Sequence, residues 1–219
     1  MSKVANHRWR LAQFLEFYWW RGYLRKRPSG EYLERKRAYW EVLLRETGIA
    51  YAPGQTALDV GCGPSGAYMV LSGLVVDAVD PLLERYARGL DIFRPEKYPW
   101  TDFHAVAFED WVPGRTYDRV FCMNAVNHFR DMGAAIAKLR AVLAPGGFLL
   151  LSVDVHNSPY LKRIFQTLPG DLLHPHQYSI DDYREILVSA GLEILQERVL
   201  KKGKIFDYIV FLATIPARG

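Results

Sequence analysis

Long apolar runs and cysteines are scarce in this chain of 219 residues. No stretch approaches the ~20 apolar residues of a transmembrane helix, and charged side chains interrupt the N-terminus where a signal peptide needs an unbroken apolar core. The two cysteines, Cys62 and Cys122, are too few for a disulfide framework and indicate a reducing compartment. We therefore expect a cytoplasmic protein with reduced thiols.

Positive charge is concentrated at the N-terminus. Residues 1–50 carry 11 Lys and Arg against 5 Glu, a net +6, whereas residues 51–219 carry 17 against 19, a net −2. The first fifty residues also contain four of the six tryptophans, so this segment is both basic and aromatic. A basic and aromatic segment is compatible both with substrate binding and with contact with an acidic partner.

Two amphipathic helices are predicted in this segment, over residues 6–26 and 31–47, with Ser29 as the cap of the second helix. We interpret residues 1–50 as a helical hairpin that caps the rest of the chain. Three interpretations of its basic side remain open: a face exposed to solvent, a cap over a substrate pocket, or a surface that binds a membrane or nucleic acid. Its aromatic residues must meet something other than water, and we assign Trp19 and Tyr23 to a substrate pocket.

From Thr56 onward, short apolar strands alternate with helical stretches, which is typical of βαβ units in a parallel sheet. Two final strands flank a Lys-Gly-Lys turn and predict an antiparallel hairpin. The sequence thus predicts an α/β domain over 51–219, with a mostly parallel seven-stranded sheet, helices on both faces and an antiparallel last strand. The predicted strands are 56–60, 75–79, 103–107, 117–123, 147–153, 192–199 and 205–213. The predicted helices are 64–72, 81–89, 131–143 and 179–189.

One connection, residues 155–178, is too long for a simple loop in a compact domain and is predicted to be a lid at the carboxyl edge of the sheet. We assign four of its side chains to acceptor binding: His156, Tyr160, His174 and His176. Surface histidines are the alternative interpretation. A metal site is not predicted, because no cysteine or carboxylate lies near them with ligand spacing.

The stretch Ala57–Gly66 predicts a strand, a glycine turn and a helix. Glycines there allow a ligand to approach the main-chain N–H groups at a helix start. Gly61, Gly63 and Gly66 fit the GxGxxG spacing, and Asp80 lies 19 residues after Gly61, which also suits a nicotinamide dinucleotide site. Spacing alone leaves the type of cofactor open.

Asp59, two residues before the first glycine, adds to this pattern, together with the motifs VVDAVDP, YDRVFCMN and LAPGG. In that order they resemble the class I S-adenosylmethionine-dependent methyltransferases. The resemblance implies that the cofactor is S-adenosylmethionine and that Asp59 orders its ammonium group. It further implies that three turn residues pass beneath its methionine and ribose, and that Asp80 with Pro81, rather than Asp77, takes the ribose hydroxyls. The turn residues are Gly61, Cys62 and Gly63.

The resemblance also implies contacts further along the chain. Ala107 stands where the family's adenine-binding Asp is usual, so either Glu109 or Asp110 takes its place, or Phe108 stacks on adenine and main-chain groups pair with it. Three residues are expected to line the cleft between cofactor and acceptor: Met123, Asn124 and Ala125. His128 is the candidate general base, and a packed histidine beside the cofactor is its alternative role.

We therefore predict a methyltransferase that acts on a small-molecule acceptor. Two alternatives remain: a cofactor-binding regulatory protein of the same fold, and a nicotinamide-dependent oxidoreductase. The absence of an Asn/Asp-Pro-Pro-aromatic sequence argues against a nucleic-acid substrate. The hairpin is expected to contact the acceptor and not the cofactor. Four arginines are candidates to hold a polar or anionic acceptor, with an apolar or lipid-like acceptor as the competing interpretation: Arg8, Arg21, Arg25 and Arg37.

Overall fold

The computed structural model describes residues 6–156, 178–203 and 206–216, which form a seven-stranded sheet with α-helices packed on both faces. The described α-helices are α1 (Asn6–Leu24), α2 (Ser29–Glu46), α3 (Leu83–Gly89), α4 (Met132–Ala141) and α5 (Ile180–Ser189). The strands are β1 (Thr56–Val60), β2 (Val75–Val79), β3 (Thr101–His104), β4 (Tyr117–Met123), β5 (Leu143–His156), β6 (Glu193–Lys201) and β7 (Phe206–Thr214).

The strands follow the order β3-β2-β1-β4-β5-β7-β6 across the sheet. Neighbouring strands from β3 to β5 are parallel, whereas β7 runs antiparallel to both β5 and β6. The predicted fold class is confirmed. The chain reverses direction across the sheet beside β1, because β2 lies on one side of it and β4 on the other. In open α/β sheets, ligands bind at the carboxyl ends of the strands at such a reversal.

Each face of the sheet is covered by its own apolar cluster. In β1, Leu58 and Val60 belong to a cluster with α4 and α5, whereas Ala57 belongs to a cluster with α2 and α3. Successive side chains of a strand point to opposite faces, so a strand covered on both faces must be apolar throughout. This explains why the central strands appear as continuous apolar runs in the sequence.

The helix predicted over residues 64–72 is wrong. The chain instead forms two short 3-10 turns, Gly63–Ser65 and Ala67–Val70, separated by an extended Gly66 (φ −78°, ψ −172°). The Asp59 carboxylate accepts a hydrogen bond of 3.0 Å from the Tyr68 N–H. A buried carboxylate beneath the turn therefore takes up a main-chain N–H group that a regular helix would satisfy internally.

Other element boundaries also differ from the prediction. Ser29 does not cap α2, because the cap position is Pro28 and no side chain bonds there. Strand β3 lies at 101–104 rather than 103–107. Strand β5 continues to His156, because β7 pairs with it from Phe148 to His156. The segment assigned to the lid thus begins inside a strand.

Most of that segment, including Tyr160, His174 and His176, lies outside the described residues. Ser179 and Asp182 form a capping box at the start of α5, since they exchange side-chain and main-chain hydrogen bonds. Within the part of the chain that the structure describes, we find no helix with both the length and the apolarity needed to cross a bilayer.

Candidate functional site

The glycine turn after β1 and the turn after β4 face each other at the carboxyl edge of the sheet. Gly61 has a φ of +62°, and its N–H donates a 2.8 Å hydrogen bond to the carbonyl of Val79 on β2. A Cβ at Gly61 would lie 2.3 Å from the Cβ of Ala125, so the two turns approach as closely as a glycine allows. This contact sets the width of the crevice.

Asp80 follows β2 and is 6% exposed. Its Oδ2 accepts a hydrogen bond of 3.0 Å from the Gly63 N–H, and its Oδ1 accepts one of 2.8 Å from the Leu82 N–H. Burial raises the pKa of Asp80 to about 6, although the two N–H donors act in the opposite direction. The main chain thus fixes a carboxylate at the crevice with lone pairs still available. The predicted helix after it starts later, at Leu83.

A first pocket of about 460 Å³ surrounds this carboxylate. Two phenylalanines, Phe108 and Phe129, make part of its wall apolar. Their ring centroids lie 5.8 Å apart, and Phe108 is 2% exposed. Glu109 also lines this pocket, and its Oε1 accepts a 2.6 Å hydrogen bond from the Arg130 N–H. The lining residues are Trp9, Gln13, Glu16, Gly61, Val79, Asp80, Pro81, Ala107, Phe108, Glu109, Asn124, Ala125, His128 and Phe129.

A second, larger pocket of about 1480 Å³ adjoins the first. It lies above the glycine turn and beneath the N-terminal hairpin, and five of its seventeen lining residues are tryptophan or tyrosine. Its lining residues are Glu16, Trp19, Trp20, Lys36, Tyr39, Trp40, Gly61, Cys62, Gly63, Pro64, Ser65, Met123, Asn124, His128, Asp154, Lys201 and Tyr208. Burial raises the pKa of the Cys62 thiol well above its ordinary value, so this sulfur stays protonated.

Four residues belong to both pockets and mark their junction: Glu16, Gly61, Asn124 and His128. Asn124 has a φ of +53°, a conformation that costs a non-glycine residue energy and is found most often at functional sites. Its N–H donates to the Ser152 carbonyl (3.0 Å) and to the Ser152 Oγ (2.9 Å). Strand β5 therefore holds the junction wall in place from behind.

His128 ends a 3-10 turn, Val126–His128, on the same wall. The indole N–H of Trp9 donates a 3.0 Å hydrogen bond to its carbonyl, which ties helix α1 to this turn. The structure thus brings the predicted general base to the place where the two pockets meet. Its role in proton transfer stays a prediction.

All the predicted cofactor-binding residues except Asp59 line one or both pockets. Asp59 is 1% exposed, and its carboxylate accepts N–H groups of the turn from behind. Burial raises the pKa of Asp59 to about 7. Asp77, the weaker candidate for the ribose, is engaged elsewhere, with His104 Nε2 at 2.6 Å and the Tyr117 hydroxyl at 2.8 Å.

Helix α1 covers both pockets rather than the second alone. Trp9 and Gln13 line the first pocket, Trp19 and Trp20 line the second, and Glu16 lines both. Residues of the hairpin thus line the pocket that contains Asp80 as well as the larger pocket beneath the hairpin. A helix that lies across the crevice presents successive turns to both halves of it.

Tyr23 is the one described side chain assigned to the acceptor that lines neither pocket. Its ring stacks on Trp19 at 4.9 Å and meets Tyr32 edge-on at 6.1 Å. It therefore supports Trp19 from behind. Within the described chain, no group of three or more His, Cys, Asp and Glu side chains has the arrangement to hold a metal ion.

The four arginines assigned to an anionic acceptor also lie elsewhere. Arg8 is exposed, and Arg21 and Arg25 line a separate surface groove beside Gly89. Arg37 donates a 3.2 Å hydrogen bond to the Met69 carbonyl. The basic side chains in the second pocket are Lys36 and Lys201, which sequence reasoning missed. Helical periodicity places Lys36 on α2 but does not show that this part of α2 faces β7.

Comparison with known proteins gives a consistent result. The profile of a family described as a methyltransferase domain matches residues 26–197. The 2-methyl-6-phytyl-1,4-hydroquinone methyltransferase of Synechocystis is 26% identical over 212 residues, 87% of this chain and 65% of that protein. The ubiquinone biosynthesis O-methyltransferase of a Bradyrhizobium species is 30% identical over 101 residues, 45% of this chain and 40% of that protein. The chain thus spans less than two thirds of each relative.

Solved structures share the fold at low identity. The cyclase SpnF superposes with a TM-score of 0.65 at 17% identity, over 82% of this chain and 80% of that one. An S-adenosylmethionine-dependent methyltransferase from Clostridium acetobutylicum gives 0.61 at 14% identity, over 83% and 91%. The family match covers most of the chain and includes the glycine turn, Asp80 and His128. This chain belongs to the methyltransferase-domain family.

Proposed function

We propose that this protein transfers a methyl group from S-adenosylmethionine to a small-molecule acceptor. The observation that carries the proposal is the pair of adjoining pockets, one with a fixed carboxylate and an apolar wall, the other large and aromatic. Membership of the methyltransferase-domain family favours S-adenosylmethionine over a nicotinamide cofactor. The named acceptors of the relatives, a hydroquinone and compounds of ubiquinone biosynthesis, support a small molecule.

The residues of the first pocket fit the cofactor. The carboxylate of Asp80 has lone pairs left after its two N–H bonds, and these suit the two ribose hydroxyls. Phe108 offers an apolar face for adenine. Beside Gly63, a Cβ would meet no atom within 4 Å, which leaves room for a ligand against the main chain. Asp59 acts as a positioning residue that holds the turn.

When bound, the cofactor supplies an electrophilic methyl group, and the protein contributes mainly positioning of donor and acceptor. The junction of the pockets is where the reacting atoms would meet. His128 lies there and has the side-chain type to accept a proton from an acceptor hydroxyl or amine near neutral pH. Asn124, held by Ser152, also lines this junction.

Replacing Asp80 with alanine is expected to weaken S-adenosylhomocysteine binding by about 10- to 150-fold, because one or two hydrogen bonds to a charged group are worth about 1.5–3 kcal/mol. Isothermal titration calorimetry measures the effect. The exposed Asp102 on the neighbouring strand provides the control, and Asp102→Ala should bind as the wild type does. Equal affinities for Asp80→Ala and the wild type would remove Asp80 from the site. Binding of NAD by the wild type would favour the oxidoreductase alternative.

Binding of S-adenosylhomocysteine should also depend on pH. Hydroxyl donors prefer the ionised form of Asp80, and the pKa of this group is raised to about 6. As the pH falls below that value, binding must first remove a proton, so affinity should fall by about tenfold per pH unit. The pKa of Asp59 lies in the same range, so the pH dependence of the wild type alone does not identify Asp80. The test is therefore to compare the pH dependence of binding in the wild type with that in Asp80→Ala. If the affinity for S-adenosylhomocysteine changed with pH equally in the wild type and in Asp80→Ala, Asp80 would not be the group that binds the ribose hydroxyls.

A second candidate function is a methyltransferase fold without methyl transfer. The specific observation in its favour is the likeness to SpnF, whose structure is described as that of a cyclase. A transfer assay with labelled S-adenosylmethionine over a panel of hydroquinones, catechols and aromatic acids separates the two. Tight cofactor binding without transfer to any member of the panel would favour the second candidate.

A further inference from the structure

Lys36 stands out among the basic side chains of this protein. It lies on α2, is half-buried, and lines the second pocket. Its Nζ lies 5.2 Å from the centre of the Tyr39 ring and 5.8 Å from that of Trp40. Burial lowers the pKa of its ammonium group. Within the described chain no carboxylate or carbonyl accepts a hydrogen bond from it, and Glu16 and Asp154 in the same wall form no ion pair with it.

Other half-buried cations of the molecule do have acceptors. The guanidinium of Arg119 donates to the Ala50 carbonyl at 2.6 and 3.1 Å, and Lys138 donates to the Phe108 carbonyl at 2.7 Å. Removing an ammonium group from water is unfavourable unless a partner replaces the water. Contacts with aromatic rings return only about 0.5–2 kcal/mol of this cost. Among the described residues, none therefore accepts a hydrogen bond from Lys36 in place of that water.

Phenolic hydroxyl groups lie in the same wall. The Tyr39 hydroxyl donates to the Tyr208 hydroxyl at 3.4 Å, and the latter lies 2.7 Å from the Ser152 Oγ. Burial raises the pKa of both tyrosines, so they stay protonated and can donate. The chain of hydroxyls ends at Ser152, which holds Asn124 at the junction. A polar group bound here would thus be connected to the reacting end of the crevice.

The remaining walls suit a flat apolar body. Three indole rings line the pocket, those of Trp19, Trp20 and Trp40. Trp19 and Trp20 meet edge-on at 5.1 Å and are held by the Tyr23 ring behind them. Aromatic walls favour stacking with a planar ligand. Lys36 would supply a charged contact, with Lys201 in the same wall.

We propose that the second pocket binds an aromatic acceptor that carries one anionic group, and that this group pairs with the Nζ of Lys36. The anionic group is a carboxylate, phosphate, sulfonate or phenolate, since each offers a charged oxygen. The inference rests on the proposed function only in naming the ligand an acceptor. The binding preference itself can be measured without methyl transfer.

Two fluorescent probes with the same rings test the preference. Anilinonaphthalene sulfonate is anionic, and phenylnaphthylamine lacks the sulfonate. Lys36→Met should weaken binding of the sulfonate by about tenfold or more and leave the neutral probe within about twofold, because a charge-assisted bond is lost but the apolar wall remains. Lys36→Arg should restore most of the affinity. Lys26→Met, at an exposed lysine between α1 and α2, is the matched control and should change neither probe.

Added salt should weaken the sulfonate and not the neutral probe in the wild type, and this difference should disappear in Lys36→Met. An equal loss for both probes in Lys36→Met and Lys36→Arg would show that Lys36 only supports the wall, and would overturn the proposal. So would unchanged affinities in Lys36→Met. Calorimetry with S-adenosylhomocysteine on the same variants tests the proposed methyltransferase function separately from the proposed anion site. If the cofactor product did not bind, the result with the two probes would still test the anion site.

Discussion

Gly61→Ala is expected to abolish cofactor binding and to lower the free energy of unfolding by about 2–5 kcal/mol. An L-residue at φ +62° costs about 1–2 kcal/mol. The new Cβ would also lie 2.3 Å from the Cβ of Ala125, which is not the end of a flexible side chain, and overpacking typically costs about 1–3 kcal/mol. The two turns that form the junction must then separate. Chemical denaturation and calorimetry with S-adenosylhomocysteine measure the two effects.

Gly63→Ala is the matched control, because Gly63 has nearly the same conformation (φ +57°) and a Cβ there would have no atom within 4 Å. Its free energy of unfolding should fall by only about 1–2 kcal/mol, because an L-residue is unfavourable in a left-handed backbone conformation, and it should remain folded. Gly63 lies in the turn that we propose passes beneath the cofactor, so the added methyl group should still lower cofactor affinity. If Gly61→Ala were as stable as Gly63→Ala, the close contact with Ala125 would not matter in solution.

Deleting residues 1–28 is expected to weaken binding of both S-adenosylhomocysteine and the neutral fluorescent probe. Helix α1 supplies walls to both pockets. At roughly 25 cal/mol per Å², every ~60 Å² of apolar contact that a ligand loses corresponds to about 1.5 kcal/mol, or about tenfold in affinity. Titrations of the two ligands into the shortened protein measure this directly. Unchanged cofactor affinity would mean that α1 covers only the acceptor.

The exposed face of α1 provides the control for the deletion. Leu11 and Phe14 are each 44% exposed and line neither pocket, so the double variant Leu11→Ser/Phe14→Ser should bind both ligands as the wild type does. The deletion also removes Phe17, whose nearest ring atom lies 2.7 Å from the place that a Cβ of Gly89 would occupy. The free energy of unfolding of the shortened protein must therefore be measured first. Unfolding on deletion would show that α1 is required for the core, and Trp20→Ala then replaces it as the test.

Local sequence patterns were sufficient to predict the elements whose position depends mainly on neighbouring residues. Strands β1 and β2 lie at the predicted residues, because an apolar run bounded by turn residues is buried on both faces of a parallel sheet. The caps of α4 and α5 were also predictable, since Asp131 and Ser179 bond to N–H groups three residues away. The ordered motifs likewise indicated the family and several of the residues that line the two pockets.

Tertiary packing decided the features that the sequence could not show. The helix predicted after the glycine turn is replaced by two 3-10 turns, because Asp59, a residue of the preceding strand, bonds to the Tyr68 N–H. Strand β5 is longer than its apolar run because β7, more than fifty residues later in the chain, pairs with it as far as His156. No local signal carries either interaction.

The acceptor side of the site shows the same limit most clearly. Sequence composition pointed to the arginines of the N-terminal hairpin, since charge near aromatic residues suggests anion binding. The packed chain turns Arg21 and Arg25 toward another groove and brings Lys36 of α2 to the wall shared with Tyr208 of β7. The sequence by itself determined the fold, the family and the glycine turn, because these depend on neighbouring residues. Only the tertiary structure decided which cation faces the pocket, because that depends on how α2 packs across the far end of the sheet.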